Sequence, residues 1–583
     1  MASSAPPVLK TGPYREVTVP AVLFGVLLGA GMTAGFVYIA LKLGFTLPGS
    51  TVAAILGFGV LRGLLREGTI VENNINQTIA SGVNNASAGI SFTLPALFIL
   101  GLENPDLLQF DPWPFILSAM AGSFMGVVLI IPLRKQMIEF DRLRFPSGIA
   151  VGTLLKSPGA GARQAVLLFG GFSLAAVVTV LSQDSVHIIP HEIGLNGLLG
   201  IPEYMPVAFY VSFASLGAGL LAGKGGIPFV FGGMLAWWLI APVSVSTGWV
   251  PDTGAEGQAG WQAGAIFGSM LRPLGIGILI GGALASVVAS FPALKSAIRS
   301  LSAAAKTAQA GGRTSDEMPS KVLFLGLLAA VMMLFIAAML STEDVSTGQA
   351  IAMSVVGTVW LAVAGLIVAQ ATGMTDISPL SGMSLIAVTL IFFISAQNVI
   401  ASILLGVAIC IGIGQCADMM SDLKSGHLVG SIPRRQQILQ FAVGWMGTPI
   451  AIGVLFVFWG AGDGGVGGFG PTNPQLSAPQ GDVLASIIQS LQNGNVAIEK
   501  YLAGAGAGVA LSLFPISGVA VLVGLAMYLP ISITLTYAVG CLASMALRKK
   551  KGAAWMGSTL VPVAAGFIVG EALTALVATL VSM

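Results

Sequence analysis

The sequence predicts an all-α polytopic membrane protein with about 16 transmembrane helices, arranged in two repeated halves and interrupted by broken or re-entrant segments. Three observations predict it. Of 583 residues, 55% are hydrophobic and only 9% charged, whereas about a quarter of a soluble domain is charged. The apolar residues gather in runs near the roughly 20 residues that a helix needs to cross a bilayer core. Among these runs lies Thr69–Gly101, whose first half carries Glu72, Asn73, Asn74, Asn76, Gln77, Asn84 and Asn85 and whose second half holds Pro95. Amides at membrane depth are tolerated only where they face protein or a water-filled path. The stretch is therefore expected to be a discontinuous membrane segment lining a polar route.

The elements follow in order. Residues 1–19 contain Pro6, Pro7, Lys10, Pro13 and Arg15 without an apolar core before Ala21, unlike a cleavable signal, and read as a cytoplasmic tail. An N-terminal transmembrane half over 20–291 holds spans at 20–43, 48–66, 70–101, 113–133, 163–182, 205–223, 228–247 and 264–291. Residues 292–320, with Gly311, Gly312 and Pro319, form a polar cytoplasmic connector. The C-terminal half, 321–583, holds spans at 320–341, 349–371, 382–397, 398–420, 438–460, 484–513, 514–529, 530–547 and 553–582. Bases cluster at Arg62/Arg66, Arg134/Lys135, Arg142/Arg144/Lys156/Arg163, Lys295/Arg299/Lys306/Arg313, Lys424/Arg434/Arg435 and Arg548–Lys551. Alternate loops carry Glu103/Asp106/Asp111, Asp184/Glu192/Glu203, Asp252/Glu256 and Glu343/Asp344. By the positive-inside rule the basic loops and the N-terminus are cytoplasmic. An odd span count would put the C-terminus outside and an even one inside, so either 382–420 or 484–529 is expected to hide a re-entrant or broken piece.

The pattern S-G-x-x-V-G occurs at Ser147–Gly152 and at Ser425–Gly430, and Met205-Pro206 is echoed by Leu529-Pro530. Equal sidedness of these echoes implies halves related by an axis along the membrane normal. Pairs such as Gly25/Gly29, Gly31/Gly35, Gly122/Gly126, Gly219/Gly223, Gly277/Gly281 and Gly504/Gly508 allow close helix approach where lipid supplies no hydrophobic drive. Cys410, Cys416 and Cys541 lie in apolar runs and suggest neither disulfides nor zinc. The net charge of +2 forms no basic patch, so nucleic acid is not an expected partner.

Glu571, in G-F-I-V-G-E-A-L, is the clearest intramembrane carboxylate. Such an acid should face the bundle with a partner or a proton, so it reads as a coupling group or as a structural hydrogen bond. Glu72 is a second coupling candidate, although Thr69-x-x-Glu72 also matches a capping box. Asn73, Asn76, Gln77 and Asn84 offer donors and acceptors to peptide groups and carboxylates, with interhelical glue as the competing role. Gln397 and Asn398, at the join of two spans, raise the same question in the second half. His187, His191 and Glu192 could meet a metal if their loop were helical, which Pro190 argues against, so no metal site is expected. Gly460–Gly470 lacks the following Lys-Ser/Thr of a phosphate loop. With no nucleophile elbow, no H-E-x-x-H and no paired acidic clusters, an enzyme acting on a lipid or diphosphate is the weaker class, and no cofactor is implied.

V-E-N-N-I-N-Q-T-I-A-S (Val71–Ser81) with F-T-L-P-A-L (Phe92–Leu97) resembles a signature of the oligopeptide transporter superfamily, which includes the yellow stripe-like metal-chelate carriers. F-P-S-G-I-A (Phe145–Ala150), D-L-K-S-G-H-L-V-G-S-I-P-R-R-Q-Q (Asp422–Gln437) and G-E-A-L (Gly570–Leu573) agree with it. The resemblance implies secondary active import by alternating access, coupled to protons. Its cargo would be short peptides or, alternatively, metal bound by a nicotianamine-like chelator. Asn84 stands where the bacterial pattern often has a carboxylate, and His427 where the cytoplasmic motif usually has Tyr. The expected setting is a multi-pass cell-membrane protein, in the inner membrane if bacterial, with a homodimer as the assembly if the chain self-associates. A passive channel would be excluded by accumulation of cargo against its gradient.

Overall fold

The computed structural model describes residues 15–582 except 46–48, 58–60, 62–67, 157–159, 184, 185, 187, 203, 249–265, 290–316, 376, 377, 379, 463, 464, 472, 474, 494–497 and 515–518. Helix dominates, as expected. Before residue 290 the chain forms α1 (Val19–Leu43), α2 (Gly49–Gly57), α3 (Ile70–Asn84), α4 (Ala86–Thr93), α5 (Pro95–Gly101), α6 (Pro112–Ile130), α7 (Pro146–Lys156) and α8 (Ala160–Ser182). An antiparallel hairpin of β1 (Glu192–Gly194) and β2 (Ala208–Tyr210) leads to α9 (Phe213–Ala222), α10 (Ile227–Met234) and α11 (Arg272–Ala289). After residue 316 come α12 (Ser320–Met339), α13 (Thr347–Thr375), α14 (Leu380–Ile394), α15 (Val399–Val429), α16 (Pro433–Val443) and α17 (Gly447–Gly460). They are followed by α18 (Pro479–Asn493), α19 (Ile498–Ser512), α20 (Val519–Tyr528), α21 (Ile531–Trp555) and α22 (Val561–Ser582).

Two helical runs occupy the centre. Val71–Gly101 is buried at every residue, and α15 is buried along nearly its whole length. They meet because small residues remove the spacing between backbones. Gly89 of α4 lies against Ile411, and Gly122 and Gly126 of α6 lie against the Ala408 and Gly412 carbonyls of α15. Ser118 adds a hydrogen bond to the Leu404 carbonyl at 2.7 Å. Gly25 and Gly29 seat α1 on Ile79 and Val83 of α3, while Gly277 and Gly281 of α11 interlock with Gly504 and Ala505 of α19. The two S-G-x-x-V-G stretches also touch, since Gly148 faces the Lys424 Cβ and Gly152 the Leu428 side chain.

The amide-rich segment bends without unwinding. Asn85 (φ −56°, ψ −28°) and Leu94 (φ −62°, ψ −34°) remain right-handed helical. Ser87 Oγ donates to the Asn84 carbonyl at 2.7 Å, and Pro95 falls in the first turn of α5, where a missing N–H costs nothing. The expected backbone discontinuity is thus a bend, and the interruptions lie elsewhere. α1 stops at Gly44 in a left-handed conformation (φ 71°). The expected single span 484–513 is two helices, α18 and α19, and the 15-residue α18 and 10-residue α20 reach only about 22 and 15 Å against a core of about 30 Å. α18 docks at the end of α1, where Ala478 N donates to Leu41 O and Gln480 Nε2 to Gly44 O, each at 2.8 Å.

Helix α15 runs to Val429 and closes at Gly430 (φ 82°), nine residues beyond the expected end at 420, so Asp422 and His427 are helical and not in a loop. Nine helical stretches among the described residues are long and apolar enough to cross a membrane. Two of them fold back, at Gly223 (φ 51°) and Gly552 (φ 82°). The connector 292–320 lies outside the described residues except its end, where Glu317 pairs with Arg134 at 2.6 Å and Met318 N donates to Gln437 at 2.8 Å.

Candidate functional site

Two chain interruptions, the end of α1 and the start of α9, converge on one ion pair with α22. Lys42, in the last turn of α1, is 1% exposed, and Glu571 of α22 is 4% exposed. Lys42 Nζ stands 2.6 Å from Glu571 Oε1 and donates to the Tyr38 hydroxyl at 3.0 Å. Tyr38 in turn donates to Glu571 Oε1 at 3.1 Å. Ser212 caps α9 by accepting from Ser215 N at 3.0 Å, and its Oγ lies 3.0 Å from both carboxylate oxygens. Ala214 N donates to Oε2 at 2.8 Å. The carboxylate therefore sits on the N-terminus of a half-helix, where free N–H groups and the helix dipole favour an anion. Tyr210 of β2 places its ring 4.6 Å from Lys42 Nζ, held by Thr536 Oγ1 donating to the Tyr210 carbonyl at 2.7 Å. Each charge is thus matched, the carboxylate by a lysine and three further donors.

A second polar centre joins α2, α3, α15 and α16. Ser50 Oγ donates to Asp422 Oδ1 at 2.9 Å and shares a 2.9 Å hydrogen bond with Ser81. Gln77 Nε2 donates to Ser425 Oγ at 3.2 Å, and Ser425 donates to Asn74 Oδ1 at 2.9 Å. Gln436 Nε2 reaches Thr78 Oγ1 at 2.8 Å and the Asp422 carbonyl at 2.9 Å. One turn further along α3, Gln415 Nε2 donates to the Gly82 carbonyl at 2.8 Å, and Gln440 Nε2 to Gln415 Oε1 at 2.9 Å.

The sequence candidates separate on this frame. Gln77 belongs to the Asp422 centre, and Asn84 sits at the end of α3 beside Gly49, accepting from Ser87 Oγ at 3.4 Å. Asn73 and Asn76 instead tie α3 to its neighbours, donating to Ala54 O at 3.2 Å and Ala21 O at 3.0 Å with both side-chain oxygens pressed on Gly57. That is the interhelical glue role. Glu72 completes the capping box with Thr69, accepting from Thr69 N at 2.7 Å while Thr69 Oγ1 accepts from Glu72 N at 3.1 Å. Gln397 and Asn398 lie in the turn between α14 and α15, away from both centres. Gln397 is exposed with φ 67°, and Asn398 caps α15 through Ala401 N at 2.9 Å. His187 lies outside the described residues, and Glu192 is in a strand, so the helical spacing that a metal would need is not formed there. Among the described residues no group of three or more His, Cys, Asp or Glu side chains could hold a metal ion.

Sequence reasoning missed Lys42, Asp422 and a further pair, Arg272 with Asp482 at 2.7 Å. Each is a charge within or bordering an apolar run, the signal that exposed Glu571. The model of the OPT oligopeptide transporter protein family matches residues 16–581. The chain belongs to the OPT oligopeptide transporter family. It is 26% identical to a Haemophilus influenzae protein named "Putative oligopeptide transporter" over 92% of this chain and 91% of that one. It is 23% identical to the Arabidopsis thaliana "Metal-nicotianamine transporter YSL2" over 81% of this chain and 77% of the relative. This OPT member is therefore a multi-pass membrane transporter and not an enzyme.

Proposed function

We propose that this OPT transporter imports short peptides or peptide-like compounds by proton-coupled alternating access. The observation that carries the reading is the Lys42–Glu571 pair, which closes α1, α9 and α22 upon one another through a single titratable carboxylate. Proton arrival at Glu571 would neutralise the partner of Lys42 and loosen Tyr38, Ser212 and the α9 N-terminus, so protonation and helix opening become one event. Discontinuous helices near mid-bundle are where transporters commonly bind cargo and coupling ions. Gln77 and Asn84 face cargo in this scheme, while Glu72 is confined to capping, and Asn73 and Asn76 hold the scaffold. The protein resides in the cell membrane with the N-terminus, the connector and the basic loops cytoplasmic.

A second cargo class, metal chelates, is favoured by the yellow stripe-like relative. A chelate supplies its own metal ligands and presents carboxylates and amines as a peptide does. The test is uptake by proteoliposomes of labelled tripeptides and of iron or nickel chelates of a nicotianamine-like ligand, with and without an inward proton gradient. Peptide accumulation above the outside concentration supports the reading. Accumulation of the chelate alone replaces its cargo, and uptake of neither by folded protein removes it.

A further inference from the structure

Five carboxylates among the described residues are at least nine-tenths buried: Glu16, Glu72, Asp422, Asp482 and Glu571. Glu16 pairs with Arg435 at 3.4 Å, Asp482 with Arg272 at 2.7 Å and Glu571 with Lys42 at 2.6 Å. Glu72 is held by the backbone of its own cap. Asp422 differs. It is 1% exposed, no Lys, Arg or His of the described residues is ion-paired with it, and its Oδ2 has no hydrogen-bond donor. The Ser50 hydroxyl donates to Oδ1 at 2.9 Å, and the Ser81 and Gln77 side chains also hydrogen-bond the carboxyl. Asp418, one helical turn earlier on α15, adds a second acid to the same face.

The neighbouring acceptors sharpen the point. Asn73, Asn76 and Gln436 have side-chain oxygens without donors, and these are covered by Gly57 and Gly426. Gln77 Oε1, on a fully buried side chain next to Asp422, also lacks a donor. A buried carboxylate with a bare oxygen beside a bare amide oxygen is a concentration of negative potential, which burial penalises unless a proton or another positive charge neutralises it.

We propose that Asp422, with Gln77 and Ser81, is a binding site for one positive charge coordinated by oxygen, either a dehydrated alkali ion or the ammonium group of a cargo molecule. The site is additional to the Lys42–Glu571 pair and is tested by binding, so it stands or falls separately from proton coupling. Such a cation would bridge α3 and α15, the two buried central runs, and its arrival would fix their crossing.

The experiment is the unfolding midpoint of the purified full-length protein in detergent, followed by tryptophan fluorescence. LiCl, NaCl and KCl are each titrated against choline chloride at constant ionic strength. In choline alone, glycylglycine is compared with N-acetyl-glycylglycine. A saturable rise with one alkali ion assigns the site to a metal cation, and a rise with the free amine only assigns it to cargo ammonium. In either case Asp422→Asn abolishes the rise and, in choline, unfolds at a higher temperature than the unmodified protein, because the bare charge is gone. Should Asp422→Asn not fold, Ser81→Ala keeps the charge but raises the half-saturating concentration about tenfold. No response beyond that to choline, or an unchanged response in the folded variant, overturns the proposal.

Discussion

A lysine near a helix end ordinarily extends its stem to carry the ammonium to water. Lys42 does not, because Glu571, Tyr38 and the Tyr210 ring replace that water within the bundle. Lys42→Ala would leave Glu571 buried without a cation and should lower stability by about 3–5 kcal/mol. The thermal midpoint in detergent should fall sharply, and adding Glu571→Gln to the same protein should recover much of the loss. A midpoint unchanged by Lys42→Ala would contradict the pair's role. Glu571 was legible in the sequence because it stands alone among apolar residues. Lys42 carried the same signal but lies at a span edge, where a loop position is as natural. Asp422 was read into a loop because it is followed by Lys424, Ser425 and His427, and polar neighbours mimic a helix end. What the sequence could not show is that Ser50, Ser81 and Ser425 from other elements or other turns absorb those polar groups.

Helix boundaries follow hydrophobic length only when a helix crosses the membrane once. The run Ile70–Gly101 was recognisable from its amides and Pro95, but its continuity depends on Ser87 satisfying the Asn84 carbonyl, a contact set by conformation. The short helices α18, α19 and α20 put the broken piece in 484–529, one of the two stretches expected to hide it, whereas α9 was merged with the residues before it into one span from 205 and starts only behind the Ser212 cap. The capping box was legible at fixed spacing, and it yields a contrast. Thr69→Ala should cost about 0.5–2 kcal/mol of stability, read as a modest drop in unfolding midpoint, while uptake persists. Loss of uptake in the folded variant would return Glu72 to the coupling machinery. At the α6–α15 crossing, Gly126→Leu has no room against Gly412 and Gln415. Size-exclusion chromatography should show aggregate in place of a monodisperse peak, and a normal peak would show that the crossing yields.

At the scale of the molecule, composition and charge alternation made the all-α membrane class legible. The expected repeat rested on the Met205-Pro206 and Leu529-Pro530 echo and on the two S-G-x-x-V-G stretches, which meet at the α7–α15 contact. Each buried central run comes from a different side of the connector, so relative movement of the two would open the core between them. The proposed sidedness can be checked because Cys410, Cys416 and Cys541 are all buried. A membrane-impermeant maleimide should label Ser346→Cys in intact cells and Lys550→Cys only after permeabilisation, and the reverse pattern would invert the topology. The central claim is that Glu571 couples proton entry to cargo movement. Its most direct measurement is gradient-driven uptake of a labelled tripeptide by proteoliposomes holding the unmodified protein or Glu571→Gln. The unmodified protein should concentrate the peptide only under an inward proton gradient, and the folded variant should not exceed equilibration. Accumulation by Glu571→Gln equal to that of the unmodified protein would contradict the account.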